Sequence, residues 1–172
     1  MRRRVIIGVL VALGVGLVIW FLVEGANRPA DPYFRARITG FGEQAFSIEP
    51  RGQLGSGSLR CALVATTDEQ LSRGLMGRRD LGGYDGMIFR FATEAMRPFT
   101  MRGTLIPLSI AWFDADGNLV DRAEMTPCRE RVSCPDYSSD RPFQYALETG
   151  RGGLRDLGVG PGAHLRLGGD CN

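Results

Sequence analysis

The chain has 172 residues, enough for one domain of ordinary size but too few for two independent cores of usual dimensions. Hydrophobic residues make up 44% of it, which excludes wholesale disorder. The formal net charge is +2, and every basic residue is an arginine. Three of the 21 arginines stand at positions 2–4, so the other 18 are balanced by 19 acidic residues. Because nucleic-acid binding needs concentrated positive charge, we expect no nucleic-acid partner.

A strongly apolar, uncharged segment follows these first arginines. Val5–Val23 comprises nineteen residues, which at about 1.5 Å each span roughly 28 Å, close to the hydrocarbon thickness of a bilayer. The basic flank at residues 1–4 and Glu24 on the other side predict a cytoplasmic N-terminus. We therefore expect a single-pass anchor in the cell membrane at residues 5–23, with everything after it extracytoplasmic. A cleaved signal peptide is the alternative, although its apolar core is usually shorter.

The apolar segment carries small residues at four-residue spacing. Gly8, Ala12 and Gly16 form a stripe that lets two membrane helices approach closely. A homodimer or a membrane-protein partner is the functional interpretation of this stripe. Simple glycine richness, in a chain with 24 glycines, is the alternative.

Turn-forming and strand-like segments alternate after the anchor. Residues 24–58 read as a linker and N-terminal extension, with short strands expected at Tyr33–Thr39 and Ala45–Glu49 and a Gly/Ser loop before position 59. The main domain is expected at 59–172. It opens with a strand at Leu59–Ala65 and a short helix capped by Thr66 or Thr67, with Glu69 or Gln70 completing a capping box.

Strand signals dominate the rest of the domain. An Asp-Gly turn at Asp114–Asn118 predicts a hairpin between two of these strands, and a helical turn is expected at Leu154–Leu157. About eight short strands and one or two small helices predict a mainly β fold, a distorted antiparallel β-sandwich or barrel. The further predicted strands are Gly86–Phe91, Pro98–Met101, Leu108–Phe113, Leu119–Met125, Phe143–Leu147 and Ala163–Leu167.

The four cysteines all follow the predicted anchor, and an even number outside the cytoplasm indicates disulfides. Cys128 and Cys134 bracket a short polar loop, and we expect them to pair because they are close in sequence. Cys61 and Cys171 would then form the second bond. Three connectivities are formally possible. A metal site is the competing interpretation, but the C-x5-C spacing is not typical of zinc and His164 is the one histidine.

Several short motifs occur in a fixed order in the main domain. They are Gly74-Leu75-Met76 with Arg78, Gly86–Phe89, Phe99–Ile110, Asp114–Gly117, and Leu147-Glu148 with Gly152. Over residues 59–168 this order resembles the family called domain of unknown function 192. The resemblance implies a compact, mostly β domain and no established activity. This chain departs from the family pattern at Thr100, Arg102, Gly103 and Ser109, where the family has Trp, Lys, Asn and Asp.

Four residues of the matching motifs are candidates for a ligand site. Arg78 and Arg102 are suited to gripping a carboxylate or phosphate, with Thr104 adding a hydroxyl and Glu148 a carboxyl group. We expect these four side chains to converge at one end of the domain. The structural alternative is that Arg78 or Arg102 forms an ion pair with Glu148 and fixes a loop to the sheet.

Two functions remain at this point. The first is a non-enzymatic accessory module of the cell envelope that binds a small ligand or a protein. The second is a hydrolase-like or sugar-modifying enzyme that uses Glu148 as acid or base. No nucleophile–base pair and no second carboxylate stand in the motifs, so we name no catalytic residue, metal or cofactor. An open pocket with an unpaired Glu148 would favour the enzyme, and an Arg-paired Glu148 away from any cleft would exclude it.

Overall fold

Strands dominate the chain from residue 42 onward. The computed structural model describes Arg35 and residues 38–53, 55–129 and 133–171, all of which belong to one compact unit. Within these residues the strands are β1 (Gly42–Glu49), β2 (Arg60–Ala65), β3 (Gly86–Ala95), β4 (Phe99–Thr100), β5 (Leu108–Phe113), β6 (Leu119–Met125), β7 (Asp136–Tyr137), β8 (Phe143–Gly150) and β9 (His164–Leu167), and the helices are α1 (Asp68–Arg73) and α2 (Gly153–Asp156).

Seven strands form a single curled sheet, a half-barrel, in the order β6-β5-β8-β3-β2-β1-β9, and β4 pairs with β7 in a separate ribbon. All neighbours in the large sheet are antiparallel except β2 and β3. These two run parallel because α1 lies between them and carries the chain back to the start of the sheet. The mainly β fold with two short helices is confirmed, as one mixed sheet rather than two stacked antiparallel ones.

The two edges of the sheet meet at one end of the half-barrel. The amide of Leu119, at the start of β6, donates to the Ala163 carbonyl at 3.0 Å, and the Leu165 amide donates to the Gly117 carbonyl at 2.7 Å. Gly117 has a φ of +86°, and a Cβ atom there would overlap the Leu165 carbonyl oxygen. Glycine in the predicted Asp-Gly turn therefore serves both the tight turn and the contact between the edges.

Alternating side chains give the sheet two buried faces, each with its own cluster. Leu63, Phe89 and Trp112 belong to the first cluster, which also includes Phe99 from the β4–β7 ribbon. Phe46, Ile88, Phe113, Leu147 and Leu154 of α2 belong to the second. Because both faces of the sheet are covered, the sequences of the central strands are nearly continuous runs of apolar residues.

Helix α1 begins as the sequence predicts. The Thr67 side chain accepts a hydrogen bond from the Gln70 amide at 3.3 Å, and the Gln70 side chain accepts one from the Thr67 amide at 3.1 Å. This capping box fixes where the helix starts. The helix ends at Gly74, whose φ of +45° stops the chain from continuing as a helix.

Both predicted disulfides are present: Cys61–Cys171 joins β2 to the C-terminal segment, and Cys128–Cys134 closes the polar loop. The predicted anchor at 5–23, its Gly8, Ala12 and Gly16 stripe and most of the predicted strand at 33–39 lie outside the described residues. Among the described residues, no helix has the length and apolar character needed to cross a bilayer.

Candidate functional site

Glu148 is the carboxylate at the centre of the candidate site. It lies on β8, between β3 and β5, and its cross-strand partners are Met87 and Ile110. Cross-strand partners in an antiparallel pair point to the same face, so the carboxyl group is flanked by two fully buried apolar side chains. Gly86 allows this close packing, because a Cβ atom there would overlap the Glu148 carbonyl oxygen.

The Glu148 carboxyl group has no ionic partner. Its side chain is 5% exposed, and no hydrogen bond or ion pair joins the carboxyl oxygens to another side chain in the described part of the chain. Burial without a compensating charge raises the pKa of Glu148 from 4.5 to about 8. The group is therefore mainly a neutral acid at pH 7 and can donate a hydrogen bond as well as accept one.

A pocket of about 280 Å³ opens above Glu148. An engineered apolar cavity of about 150 Å³ holds benzene, so this pocket has room for about a dozen ligand heavy atoms. Its walls combine aromatic and aliphatic side chains with a few polar groups, the composition that small-molecule sites usually have. The lining residues used below are Leu75, Phe89, Phe91, Phe99, Thr104 and Glu148.

The walls of the pocket come partly from the end of α1, from the β4–β7 ribbon and from the connection that leads to β5. Gly74, at the end of α1, approaches the Phe89 ring so closely that a Cβ atom there would lie 3.2 Å from it. Phe99 of the β4–β7 ribbon packs edge-on against Phe89, with the ring centres 5.1 Å apart. Thr104, 5% exposed, follows the ribbon in the connection to β5. The pocket thus depends on contacts between segments that are distant in sequence.

Two arginines line the same pocket. The Arg97 guanidinium stacks on the Phe91 ring at 4.4 Å and donates to the Thr93 carbonyl at 3.2 Å. The Arg73 guanidinium stacks on the Phe41 ring at 4.5 Å and donates to the Gly40 carbonyl at 3.3 Å. Neither forms an ion pair with a carboxylate of the described residues. Stacking fixes each plane and leaves further N–H donors at its edge.

The structure brings two of the four predicted site residues together. Thr104 and Glu148 line the same pocket. Arg78 lines a neighbouring, more open depression and pairs with Asp80, with 3.9 Å between its Nη2 nitrogen and the carboxylate. Arg102 is exposed and lines neither this depression nor the pocket above Glu148. The alternative ion pair of Glu148 with Arg78 or Arg102 is not formed.

Sequence reasoning missed Arg73 and Arg97. Both stand just outside the motif segments, and both look like ordinary surface arginines in a chain whose basic residues are all arginine. The weak signal available was the proximity of Arg97 to Pro98 and Phe99, which begin a motif block. Their stacking on Phe41 and Phe91 depends on tertiary contacts that spacing does not reveal.

The departure at Ser109 from the family pattern is structurally accommodated. The fully buried Ser109 hydroxyl accepts a hydrogen bond from the Gly152 amide at 3.0 Å and donates to the Glu124 carboxylate, with oxygens at 2.8 and 2.9 Å. The serine thus joins β5, β6 and the start of α2. It does not line the pocket above Glu148.

The cysteines and His164 do not form a metal centre among the described residues. Glu43, Cys61 and Cys171 have ligand-type atoms within 4.8 Å of one another, but both sulfurs are joined in the disulfide, so no thiolate is present to bind a metal. His164 is partly buried and hydrogen-bonds the Asp116 carbonyl through Nε2 at 2.7 Å.

Comparison with known proteins identifies the family to which the domain belongs. The chain belongs to the domain of unknown function 192 (DUF192) family, described as uncharacterised, whose sequence profile matches residues 53–167. The predicted family is therefore confirmed.

Two solved structures share the fold. A crystal structure of a candidate transcription regulator from Sinorhizobium meliloti 1021 has 25% identity and a TM-score of 0.63, covering 77% of this chain and 98% of that one. A protein of unknown function from Novosphingobium aromaticivorans has 23% identity and a TM-score of 0.64, covering 81% of this chain and 99% of that one. None of the curated proteins matches this chain.

Proposed function

We propose that this chain is a small-ligand-binding module of the cell envelope, and that its ligand occupies the pocket above Glu148. The observation that carries the proposal is a buried carboxyl group, without an ionic partner among the described residues, that lines a pocket of mixed apolar and polar groups. An unpaired polar group in an apolar setting lowers stability unless something compensates for it, and ligand sites are where such groups concentrate. Thr104 supplies a second hydrogen-bonding group on the same pocket wall.

The proposal includes the location of the module. The apolar segment at 5–23 would hold it in the membrane with the domain outside the cytoplasm, possible partners being a second copy or another membrane protein through Gly8, Ala12 and Gly16. Two disulfides with no free cysteine in the described residues support an oxidising compartment. The relative from Sinorhizobium is described as a candidate transcription regulator. DNA binding is not part of this proposal, because residues 5–172 lack net positive charge.

A panel of small molecules tests the pocket directly. We expect at least one member of a set of carboxylates, amines, amides and polyols with apolar bodies of up to about a dozen heavy atoms to shift the backbone amide NMR signals of Gly74, Thr104 and Glu148 in the purified full-length protein. Ser72 is exposed and lines the pocket, so Ser72→Trp should block it and abolish the shifts. Glu69→Trp is the matched control, since Glu69 is exposed on the same helix and does not line the pocket. If no class shifts these signals, or if Ser72→Trp leaves the shifts intact, the pocket is not the binding site.

An acid–base enzyme is the second candidate, favoured by one specific observation. A carboxyl group with a pKa of about 8 in an open pocket matches the state of a general acid at neutral pH. The pocket lining contains no second carboxylate and no histidine or cysteine. Hydrolysis of aryl glycosides or esters that is lost in Glu148→Gln, with a rate that falls as pH rises through about 8, would establish the enzyme. Equal background rates for both proteins would exclude it.

A further inference from the structure

The ionisable side chains that line the pocket are two arginines and one glutamate, so positive groups outnumber negative ones. Among its lining residues the ionisable groups are Arg73, Arg97 and Glu148. Burial keeps the Glu148 carboxyl group mainly protonated below pH 8. The Arg97 guanidinium lies over Phe91 in the pocket wall, and the Arg73 guanidinium lies over Phe41, which lines the neighbouring depression. Positive charge therefore stands in the pocket at Arg97 and beside it at Arg73, with little opposing negative charge at neutral pH.

The two guanidinium groups are held in place but retain unused donors. Arg97 uses one nitrogen for the Thr93 carbonyl and one face for the Phe91 ring. Arg73 uses one nitrogen for the Gly40 carbonyl and one face for the Phe41 ring. A guanidinium group has five N–H donors in a plane, so each can still offer a pair of parallel hydrogen bonds to an acid group. Because neither has a carboxylate partner in the described structure, binding an anion requires no existing ion pair to break.

The rest of the pocket is suited to an apolar body. Leu75, Phe89, Phe91 and Phe99 provide aliphatic and aromatic surface. Thr104 and the protonated Glu148 offer hydrogen bonds to a polar atom deep in the pocket. A cationic ligand would be repelled by the arginines and would find the one lining carboxyl group, Glu148, mainly uncharged at pH 7. A neutral ligand would leave the arginine donors unused.

Resting on the proposed function, we infer that the ligand is a small amphipathic organic acid. Its carboxylate or phosphate group binds Arg97, its apolar body packs against the aromatic walls, and a polar atom reaches Thr104 and Glu148. The cavity volume limits it to about a dozen heavy atoms in the pocket. The acid group and the body both contribute, so neither a simple inorganic anion nor a purely apolar molecule satisfies the site.

Three probes with the same body test the charge preference. They are 3-phenylpropanoate, 3-phenylpropanamide and 3-phenylpropylamine, with acetate as an acid that lacks the body. Binding is measured at pH 7 by the shifts of the Gly74, Thr104 and Glu148 amide signals in the full-length protein in neutral detergent. We expect the acid to bind at least tenfold more tightly than the amide and the amine, and acetate to give no saturable shift.

Variants identify which side chains cause the preference for an acid. Each probe is compared between variants, so its partitioning into detergent is the same on both sides of the comparison. Arg97→Gln should weaken binding of the acid about tenfold while leaving the amide within twofold. Arg97→Lys should recover only part of the loss, because an ammonium group lacks the planar fork. Arg90→Gln is the matched control, since Arg90 is exposed on β3, lines none of these pockets and carries the same charge. Dispersed amide spectra establish that each variant is folded.

The outcomes distinguish a failure of this inference from a failure of the proposed function. If the amide or the amine binds as tightly as the acid and Ser72→Trp blocks it, the pocket is a ligand site but the ligand is not an acid. If Arg90→Gln weakens the acid as much as Arg97→Gln, the preference reflects overall charge and the assignment of the acid group to Arg97 is overturned. If the acid binds and Ser72→Trp has no effect, the inference and the proposed pocket both fail.

Discussion

Glu49 and Glu148 are the two buried glutamates of the described structure, and they are accommodated in opposite ways. Glu49, 1% exposed, has an Arg166 nitrogen at 3.7 Å and the His164 Nδ1 nitrogen at 4.0 Å. Both partners come from β9, where His164 lies directly opposite Glu49 in the register. Glu148 has apolar cross-strand neighbours and no cation. Glu148 lacks such nitrogen neighbours in the described structure, and burial raises its pKa to about 8, so a proton neutralises the carboxyl group at pH 7.

The two glutamates also differ in whether their side chains join parts of the fold. The Glu49 cluster lies where β9 and the β5–β6 turn meet, and His164 links the two through the Asp116 carbonyl. It therefore helps to close the half-barrel. Glu148 links nothing and faces a pocket. The carboxyl group without a structural partner is the better candidate for binding.

The largest predicted effect is the pH dependence of stability caused by Glu148. The folded pKa is about 8 and the ordinary value 4.5, so between these pH values the folded state holds a proton that the unfolded state has released. The contribution to the free energy of unfolding is full below about pH 4.5 and falls by about 1.4 kcal/mol per pH unit up to about pH 8, roughly 5 kcal/mol in all. Urea unfolding at pH 5, 6, 7 and 8 should show this decline in the wild type. It should be largely absent in Glu148→Gln, and an equal decline in both proteins would contradict the assignment.

The same substitution at the two glutamates should have opposite signs. At pH 8, Glu49→Gln changes a buried carboxyl group whose oxygen lies 3.7 Å from an Arg166 nitrogen, and we expect a loss of about 2 kcal/mol, reduced from the usual value for buried pairs because Arg166 is largely exposed. Glu148→Gln removes a carboxyl group that is partly ionised and unpaired at this pH, so stability should be unchanged or increased. Urea midpoints for the two variants provide the measurement. Equal destabilisation would mean that Glu148 has a partner after all.

A smaller effect is expected from His164. Removing the imidazole in His164→Ala eliminates the 2.7 Å hydrogen bond to the Asp116 carbonyl and one neighbour of Glu49, for a loss of about 1 kcal/mol. Amide hydrogen exchange should increase at Leu119 and Leu165, whose hydrogen bonds join the two edges, and not at Glu148 on the central strand. Increased exchange throughout the sheet would show that His164 does not act locally at the closure.

The smallest effect is expected at Arg166. Its side chain is 63% exposed, so solvent and salt screen its interaction with Glu49. Arg166→Ala should lower stability by less than about 1 kcal/mol in low salt, and the difference from the wild type should shrink in 1 M NaCl. A loss as large as that of Glu49→Gln would assign the pairing of Glu49 mainly to Arg166 rather than to both β9 residues.

Much of the fold follows from local signals. The Thr67–Gln70 capping box, the Asp-Gly turn before β6 and the apolar run of β5 are properties of short segments, and each element lies where it was predicted. The two-residue strand β4 lies within the strand predicted at Pro98–Met101, whereas β7 was missed. The parallel pairing of β2 with β3 was also missed, because short strands and a short helix fit several topologies.

The residues of the candidate site were likewise predicted only in part. Motif position singled out Thr104 and Glu148, which share a pocket, and also Arg78 and Arg102, which line no part of it. Arg73 and Arg97 had no motif signal and do line it. Whether a side chain faces a pocket depends on strand register and on which ring it stacks against. These are long-range contacts that residue spacing does not encode.

The sequence by itself determined the family, the mainly β character and the apolar N-terminal segment, because each depends on composition, local pattern or motif order. It favoured one of three disulfide connectivities, and the structure shows that one. Only the tertiary structure decided that Glu148 lies between Met87 and Ile110, with no cationic partner among the described residues, while Glu49 lies beside Arg166 and His164. Motif order singled out Glu148 but did not show what would surround it. The neighbours of both glutamates depend on which strands lie beside them, and that is fixed only when the sheet is assembled.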